Sequence, residues 1–498
     1  MYKEDTLQLA KEGERPFEYD DAVFDKAAQE IYENGGFDLS QMQGQAARDV
    51  INETVRILDT AIESGLPQEV PATLRHALEN NAFIFSGFKA FHALREVGLS
   101  MTTEKGEIKP FGDFLADVRK INAKYNHNYL YAEYNHALGS SIMAAKWHEF
   151  QQEAEDYYLQ YRTAADGRVR EEHANLHDTT LPASDPFWDK YYPPNGWNCR
   201  CTVVQVRKEK YEMSDPAKAM KLGDECTEGL KRAMFRYNPG KSMELFPPKH
   251  PYMKAPKEAK QVIETVSVEE MKAKRIQDMI AELPNNLTPQ EKQAIAEHNI
   301  TIEDVLKITK GKPMSVEDAD QQHANPHWGK SREYGINCQT CAPAYVLRLL
   351  GFNITAKPNT RGSQSEYLSR QRSFEAWTNI DGSQPSPILT YDWMIKKGYK
   401  QMSKKRYEEY FEESCKDVGV YILTIGWKGG GGHATILQRF EDGTLKYIEP
   451  QVYSETVGAK RSIEELSTDG AVKPIKTRGI LRVDNKLFNT KFISIFDK

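Results

Sequence analysis

Two groups of side chains in this chain have types and spacings that can do chemistry, and both are built on sulfur. The first is Cys338 and Cys341, in the run Asn337-Cys338-Gln339-Thr340-Cys341, followed far along the chain by His433 and by Glu449-Pro450-Gln451. A thiol becomes a nucleophile when a helix N-terminus or a cation lowers its pKa, a histidine exchanges its proton, and an acceptor orients the imidazole. Either cysteine can fill the first role, because both stand at the start of the amphipathic pattern APAYVLRLL. His433 supplies the base, and Glu449 the acceptor, with Gln451 in support. The second group is Cys199 and Cys201 with His173 and His177, four ligands of the kind zinc takes. A Cys-x-Cys on a strand puts both sulfurs on one face, but His-x-x-x-His needs a helix there and the pairs must meet in space. Packing of the small cysteines against Trp188 and Trp197 is the favoured reading. No metal and no cofactor is assigned.

The elements that must position the first group follow from periodicity. A helix is expected from Cys338 to Leu350, ended by Gly351, with strands at VGVYILTIGW and HATILQRF. His433 follows four glycines, Gly429 to Gly432, which let a substrate backbone approach closely. A turn at Asp442-Gly443 returns the chain through a strand ending at Tyr447-Ile448-Glu449-Pro450-Gln451. Pairing about that turn sets His433 opposite Gln451 or its neighbour, with Glu449 two residues away on the same face. Pro343 pulls against Cys338, since proline is tolerated in a first turn and costly deeper in. A helix starting near Thr340 would bring Cys341 to the front. The last run, KFISIF, reads as a further strand, which makes this region α+β.

Upstream, residues 15 to about 150 read as helical, with 3.6-residue patterns in FDKAAQEIYENGGF, AARDVINETVRILDTAIESG and EYNHALGSSIMAAKWHEFQQEAEDYYLQY. Gly65 is expected to cap the second of these, with Leu66-Pro67 stopping it. LPASDPFWDKYYPPNGWNCRC then reads as a compact irregular segment leading into the strand TVVQV. Residues 207 to 260 hold 13 Lys/Arg against 8 Asp/Glu. Any phosphate contact falls there, although charge alone favours an ordinary solvated surface. Between Tyr252 and Trp328 there is no aromatic residue, so a helical connector is expected, with a capping box at Thr288-Pro289-Gln290-Glu291.

At 498 residues and 56.9 kDa, 39% apolar and 28% charged, the chain is long enough for several globular domains and is neither fibrous nor wholly disordered. A net charge of −6 gives no broad attraction to nucleic acid. Six cysteines are too sparse for a disulfide scaffold. No apolar run is long enough to span a bilayer, and no internal repeat or transit peptide is found. The start, MYKEDTLQLAKEGERPF, carries charges where a signal peptide needs an apolar core. Synthesis in the bacterial cytoplasm, with no membrane anchor, is expected.

Two family resemblances add to this. Arg170 and His173, Asp185-Pro186-Phe187-Trp188 and Pro193-Pro194-Asn195-Gly196-Trp197-Asn198-Cys199-Arg200-Cys201, with FSGFKAFHALREVGLS upstream and FRYNPGKSMELFPPKHPY downstream, resemble the phage Mu F-like, or MuF, minor head proteins. The resemblance covers roughly residues 1–252. It implies a virion protein at the portal vertex of the phage head, with portal and capsid proteins as partners and packaged DNA as a further contact. Ala319-Asp320, Asn325-Pro326, Asn337-Cys338, Cys341, Gly351, Ala356, Gly432-His433 and Glu449-Pro450-Gln451 resemble a papain-fold toxin family of glutamine deamidases carried on some MuF proteins. That family usually has Asp where this chain has Glu449, and the Asn before the cysteine favours Cys338 as nucleophile over Cys341. This implies a host or competitor protein as substrate and a cognate immunity protein. The expected chain is therefore multidomain: a mainly α head-morphogenesis region (1–252), a helical linker (253–316) and an α+β papain-like cysteine-nucleophile domain (317–498). The alternatives are a purely structural minor head protein with a decayed papain-like domain, or a cysteine protease that processes head components.

Overall fold

The computed structural model describes residues 9, 16–67, 69–152, 155–452 and 472–498. Most of the charged start, residues 1–8 and 10–15, lies outside them. The chain divides into two units, Met1–Lys274 and Arg275–Lys498.

The first unit is a helical assembly with a small sheet. Its helices are α1 (Asp21–Glu33), α2 (Gln45–Gly65), α3 (Ala72–Leu99), α4 (Phe111–Asn122) and α5 (Leu130–Phe150). In α2 the buried residues Val50, Thr54, Ile57, Leu58, Ala61 and Ile62 recur at helical spacing and form one stripe. Helix α3 is buried on most of its surface, and Lys89 in its middle is only 1% exposed. An unpaired ammonium there would be untenable. Glu133 of α5 meets it at 2.6 Å.

Gly65 does not act as a left-handed cap. It is the last residue of α2, and a Cβ there would lie 2.7 Å from Ser141 Cβ and 2.9 Å from the Leu138 carbonyl oxygen of α5. It is the point of closest approach of two helices. The long helical pattern expected through Tyr161 ends at Phe150, and its last residues form strand β1 (Tyr157–Arg162). Leu159, Gln160 and Tyr161 are all buried there, and the β-favouring tyrosines with antiparallel pairing override the helical period. β1 pairs antiparallel with β2 (Thr180–Leu181) on one side and β3 (Thr202–Arg207) on the other.

The stretch expected as a linker contributes to both cores. Its helix Lys257–Glu282 contains the boundary between the units. Ile263 and Val266 belong to the core of the first unit, where Glu269 and Glu270 also bind Arg48. The helix Pro289–Leu306 belongs to the second, with the expected capping box of Thr288 and Glu291 in place. Ile302 and Leu306 enter the second unit's main core. Aliphatic side chains at helical spacing are enough to bury these faces without an aromatic residue.

The second unit is built on an antiparallel sheet. Along it run Ile388–Leu389, Gly479–Arg482, Gly419–Trp427, Gly432–Arg439 and Leu445–Ile448, with Val472–Lys473 also paired to Gly419–Trp427. Alternation sorts its residues. Val420, Ile422, Ile436, Ile448 and Leu481 join the cluster that contains helix Cys338–Leu349, while Tyr421, Leu423, Leu437 and Ile480 join Trp393, Tyr410 and Phe411. The helix ends as expected at Gly351, whose left-handed backbone lets Phe352 N–H reach the Leu347 carbonyl and Gly351 N–H that of Arg348. KFISIF is mostly a 3-10 turn, Thr490–Ile495, with only Phe496–Asp497 in a strand.

The α2–α5 contact is directly testable. Gly65→Ala forces a methyl group into a backbone-lined gap and is expected to destabilise the first unit by about 1–3 kcal/mol. Urea denaturation of the full chain, followed by far-ultraviolet circular dichroism, measures the shift.

Candidate functional site

Cys338 is the first residue of its helix, where the leading N–H groups have no intrahelical acceptor and favour negative charge. A network of buried amides fixes the residues around it. Asn337 donates to the Lys357 carbonyl (3.1 Å) and to Asn325 Oδ1 (3.2 Å), and its own Oδ1 accepts from Gln451 Nε2 (3.3 Å). Asn325 in turn donates to the Gln451 carbonyl at 2.9 Å. Gln451 therefore supports the site by tying the end of one sheet strand to the residue before the thiol.

The sheet delivers the other two groups. Ile436 stands opposite Ile448 and Arg439 opposite Leu445, a register that carried onward sets His433 against Gln451. Glu449 Oε2 accepts from His433 Nε2 at 2.7 Å and from the Tyr447 hydroxyl at 2.6 Å, while its Oε1 accepts the Gln451 N–H at 3.2 Å. With Nε2 committed to the carboxylate, Nδ1 is left for the sulfur, and Cys338 is near enough for the ring to act on its thiol. Trp427 lies nearly parallel to the imidazole, with centroids 6.4 Å apart. Of the four glycines, Gly430 and Gly431 adopt left-handed backbone and make the turn between the two strands.

Each group's ionisation follows from its neighbours. Burial opposes charge on Cys338, but the hydrogen bond and positive charge of His433 outweigh it and hold the thiol below its ordinary value. Burial likewise opposes the imidazolium, yet the Glu449 charge and the bonds to Cys338 and Glu449 raise His433 well above its usual range. Glu449 is only 8% exposed; burial pushes its carboxyl up, and His433, Tyr447 and the Gln451 N–H bring it below the usual value. Both shifts favour the thiolate–imidazolium pair over the neutral one.

Cys341 is fully buried in the main core of this unit, where burial and then the negative charges of Cys338 and Glu449 push its thiol well up. The imidazole meets Cys338. The helix begins there despite Pro343 at its sixth position, because Asn337 accepts the N–H groups of Thr340 and Cys341 and closes the first turn. Two residues that the spacing did not single out stand beside the site. Tyr447 holds the carboxylate, and Arg478 is buried next to Gly432, close enough to Cys338 for its guanidinium to feel the thiolate. Tyr447 shares Glu449's parity on the strand and was there to be found. Arg478 comes from a distant strand end and carried no signal.

In the first unit, His173, Cys199 and Cys201 come together, all buried. His173 Nδ1 lies 3.6 Å from Cys199 Sγ and 3.5 Å from Cys201 Sγ. His177 does not join them, because its helix, Glu171–Ala174, is too short to bring it to the same face. Its Nδ1 instead accepts from the Thr163 N–H at 3.1 Å. The cysteines share a core with Trp188, whereas Trp197 packs with His136, Phe235 and His250 in another. In the basic stretch 207–260, Arg232, Arg236 and Lys241 pair with Glu172, Asp224 and Asp189. Among the described residues, no helix is long and apolar enough to cross a membrane.

Residues 111–204 match the family model described as Phage Mu protein F like protein. The putative capsid assembly protein F of Escherichia phage Mu is 44% identical over 71 residues, 14% of this chain and 16% of that protein. The Mu-like prophage FluMu F protein of Haemophilus influenzae is 41% identical over 68 residues, 12% of this chain and 16% of its own length. The chain thus spans about a sixth of the length of the curated relatives it matches. No solved structure matches it. The matched segment is narrower than the 1–252 expected from motifs, and it contains His173, Cys199 and Cys201.

The thiolate–imidazolium pair has a measurable signature. Because the Cys338 pKa is lowered, its thiolate persists as pH falls below the ordinary thiol range and is lost only as pH drops through the lowered value. Iodoacetamide at mildly acidic pH is therefore expected to label Cys338 rapidly and Cys341 slowly. His433→Ala leaves burial unopposed, and each pKa unit regained costs about tenfold in thiolate and in labelling rate. Peptide mass spectrometry of the full chain reads both.

Proposed function

We propose that this chain is a phage or prophage minor head-assembly protein whose second unit is a cysteine hydrolase of papain type, acting on the side-chain carboxamide of glutamine in a protein. The head-assembly part rests on the match of residues 111–204 to the Mu F-like family and on the identity with a capsid assembly protein. Its partners are then portal and capsid proteins, with packaged DNA as a further contact, and its location is the phage head. The enzymatic part rests on one observation, the His433–Glu449 pair at 2.7 Å set beside Cys338 at the head of a helix. A host or competitor protein is the substrate in this reading, and a cognate immunity protein protects the producer.

The chemistry follows from the atoms. The Cys338 sulfur attacks the carboxamide carbon, the C–N bond breaks, and His433 gives its proton to the departing ammonia. The thioester is then opened by water, which His433 deprotonates, restoring thiolate and imidazolium as glutamate leaves. Glu449 stays ionised throughout, holding the ring's orientation and stabilising its charge. A longer carboxylate in place of aspartate still serves, because the Tyr447 hydroxyl and the Gln451 N–H hold it within 2.7 Å of Nε2. That fit favours a working site over a decayed one. Peptide cleavage would use the same thioester with an amine as leaving group.

Full-length protein incubated with bacterial lysate is expected to convert specific glutamines to glutamate, read by quantitative peptide mass spectrometry. Cys338→Ala should abolish the conversion, and Glu449→Gln should slow it by on the order of a hundredfold or more. New Cys338-dependent peptide N-termini would make the unit a protease instead. No Cys338-dependent change of either kind would leave a structural head protein. Co-sedimentation of the chain with filled heads on a density gradient checks the head-assembly part.

A further inference from the structure

The Cys338 site does not use the three donors His173, Cys199 and Cys201, and their arrangement is hard to satisfy with protons alone. Both sulfurs approach the same ring nitrogen, at 3.6 and 3.5 Å. One Nδ1 carries either one lone pair or one proton, so it can pair properly with only one of two thiols. All three donor atoms lie within 4.8 Å of one another, in a site that is buried on the protein side. Tetrahedral zinc, with Zn–S of about 2.3 Å and Zn–N of about 2.0–2.1 Å, sets its sulfur and nitrogen ligands about 3.6 Å apart. The observed separations are those of ligands around a shared cation.

We propose that His173 Nδ1, Cys199 Sγ and Cys201 Sγ bind one Zn²⁺ ion. Local structure supports the assignment. Cys199 and Cys201 lead directly into β3, and their alternate spacing turns both sulfurs to one side. His173 comes from the short helix Glu171–Ala174, in the segment between β1 and β2. The Cys226 sulfur is near enough to act on the same ring, on the side where outer partners of metal-bound histidines help hold orientation. The donors also line a cavity of about 280 Å³ with Asn135, Arg170 and Arg200 on its wall. The fourth coordination position opens into that cavity and takes a water molecule. Binding expels the two thiol protons, so both cysteines bind as thiolates. The ion fastens the segment between β1 and β2 to the start of β3, within the residues that match the Mu F-like family.

The test uses full-length protein expressed with added zinc and purified without chelator. Metal analysis is expected to find about one zinc per chain, retained through dialysis. The Cys199→Ser/Cys201→Ser double variant should fall to background, and Cys415→Ser, a substitution in the other unit, should keep its zinc. Because the double variant can misfold, metal-free wild-type protein is also loaded with Co²⁺ alone. Tetrahedral cobalt bound through sulfur gives an intense thiolate-to-metal charge-transfer band together with strong visible absorption. Wild-type protein that takes up no stoichiometric zinc, or cobalt protein without the sulfur band, overturns the proposal. Zinc that survives in a folded double variant overturns it equally.

Discussion

Glu449 sets the terms for the second unit. A carboxylate that is 8% exposed cannot stay ionised without compensation, and the compensation is a cation on His433 at 2.7 Å. The imidazolium is itself buried, and its second partner is the Cys338 sulfur. One buried negative charge thus calls for a positive one, which in turn draws a thiolate to the helix N-terminus. The order of the three groups matters. Without the carboxylate, burial would favour a neutral thiol beside a neutral ring, and neither attack nor protonation of a leaving group would be prepared.

That dependence explains why so much of the unit is devoted to register. A one-residue slip of Leu445–Ile448 against Gly432–Arg439 would turn Glu449 to the other face of the sheet. The Gly443 turn sets the pairing at one end. At the other, the amides of Asn325, Asn337 and Gln451 lock the strand end to the helix start. The positions of His433, Glu449 and Gln451 were legible to within a residue because a short turn, three residues between the paired Phe440 and Thr444, and period-two alternation place them. The choice of Cys338 was not settled by pattern. It depended on where the first helical turn closes, and Asn337 decides that by accepting the Thr340 and Cys341 N–H groups. Arg478 was invisible because only the three-dimensional sheet brings a residue so far along the chain to Gly432.

In the first unit the helices were legible and their neighbours were not. α1, α2 and α5 follow their apolar periods, but YYLQY at the end of the α5 pattern belongs to a strand. A short apolar run reads equally well at either period, and its pairing with β3 decides between them. Gly65 shows the same limit. Its place after an amphipathic pattern suits a cap, while its actual constraint is the backbone of α5 against it, which no local pattern encodes. The stretch without aromatics looked unable to build a large core by itself, and its own cluster is only Leu283, Leu287 and Ile295. It shares the cores of two units through Ile263 and Val266 on one side and Ile302 and Leu306 on the other.

The chain's two thiol–imidazole groups show how little separates a nucleophile from a ligand set. At Cys338 a single sulfur faces an imidazole whose far nitrogen is held by a carboxylate, an arrangement that favours the proton on the ring. At His173 two sulfurs converge on one nitrogen, and a third sulfur, Cys226, is near enough to act on the same ring. Among the described residues no carboxylate bonds that ring, and against burial it is the sulfurs themselves that push the His173 imidazole up, to about 10. Three electron-pair donors around one point are better served by a divalent cation than by a shared proton. The difference lies in the partner of the histidine rather than in the cysteine. Cys-x-x-Cys and Cys-x-Cys spacing therefore say less about chemistry than the acceptor that the fold places behind each imidazole.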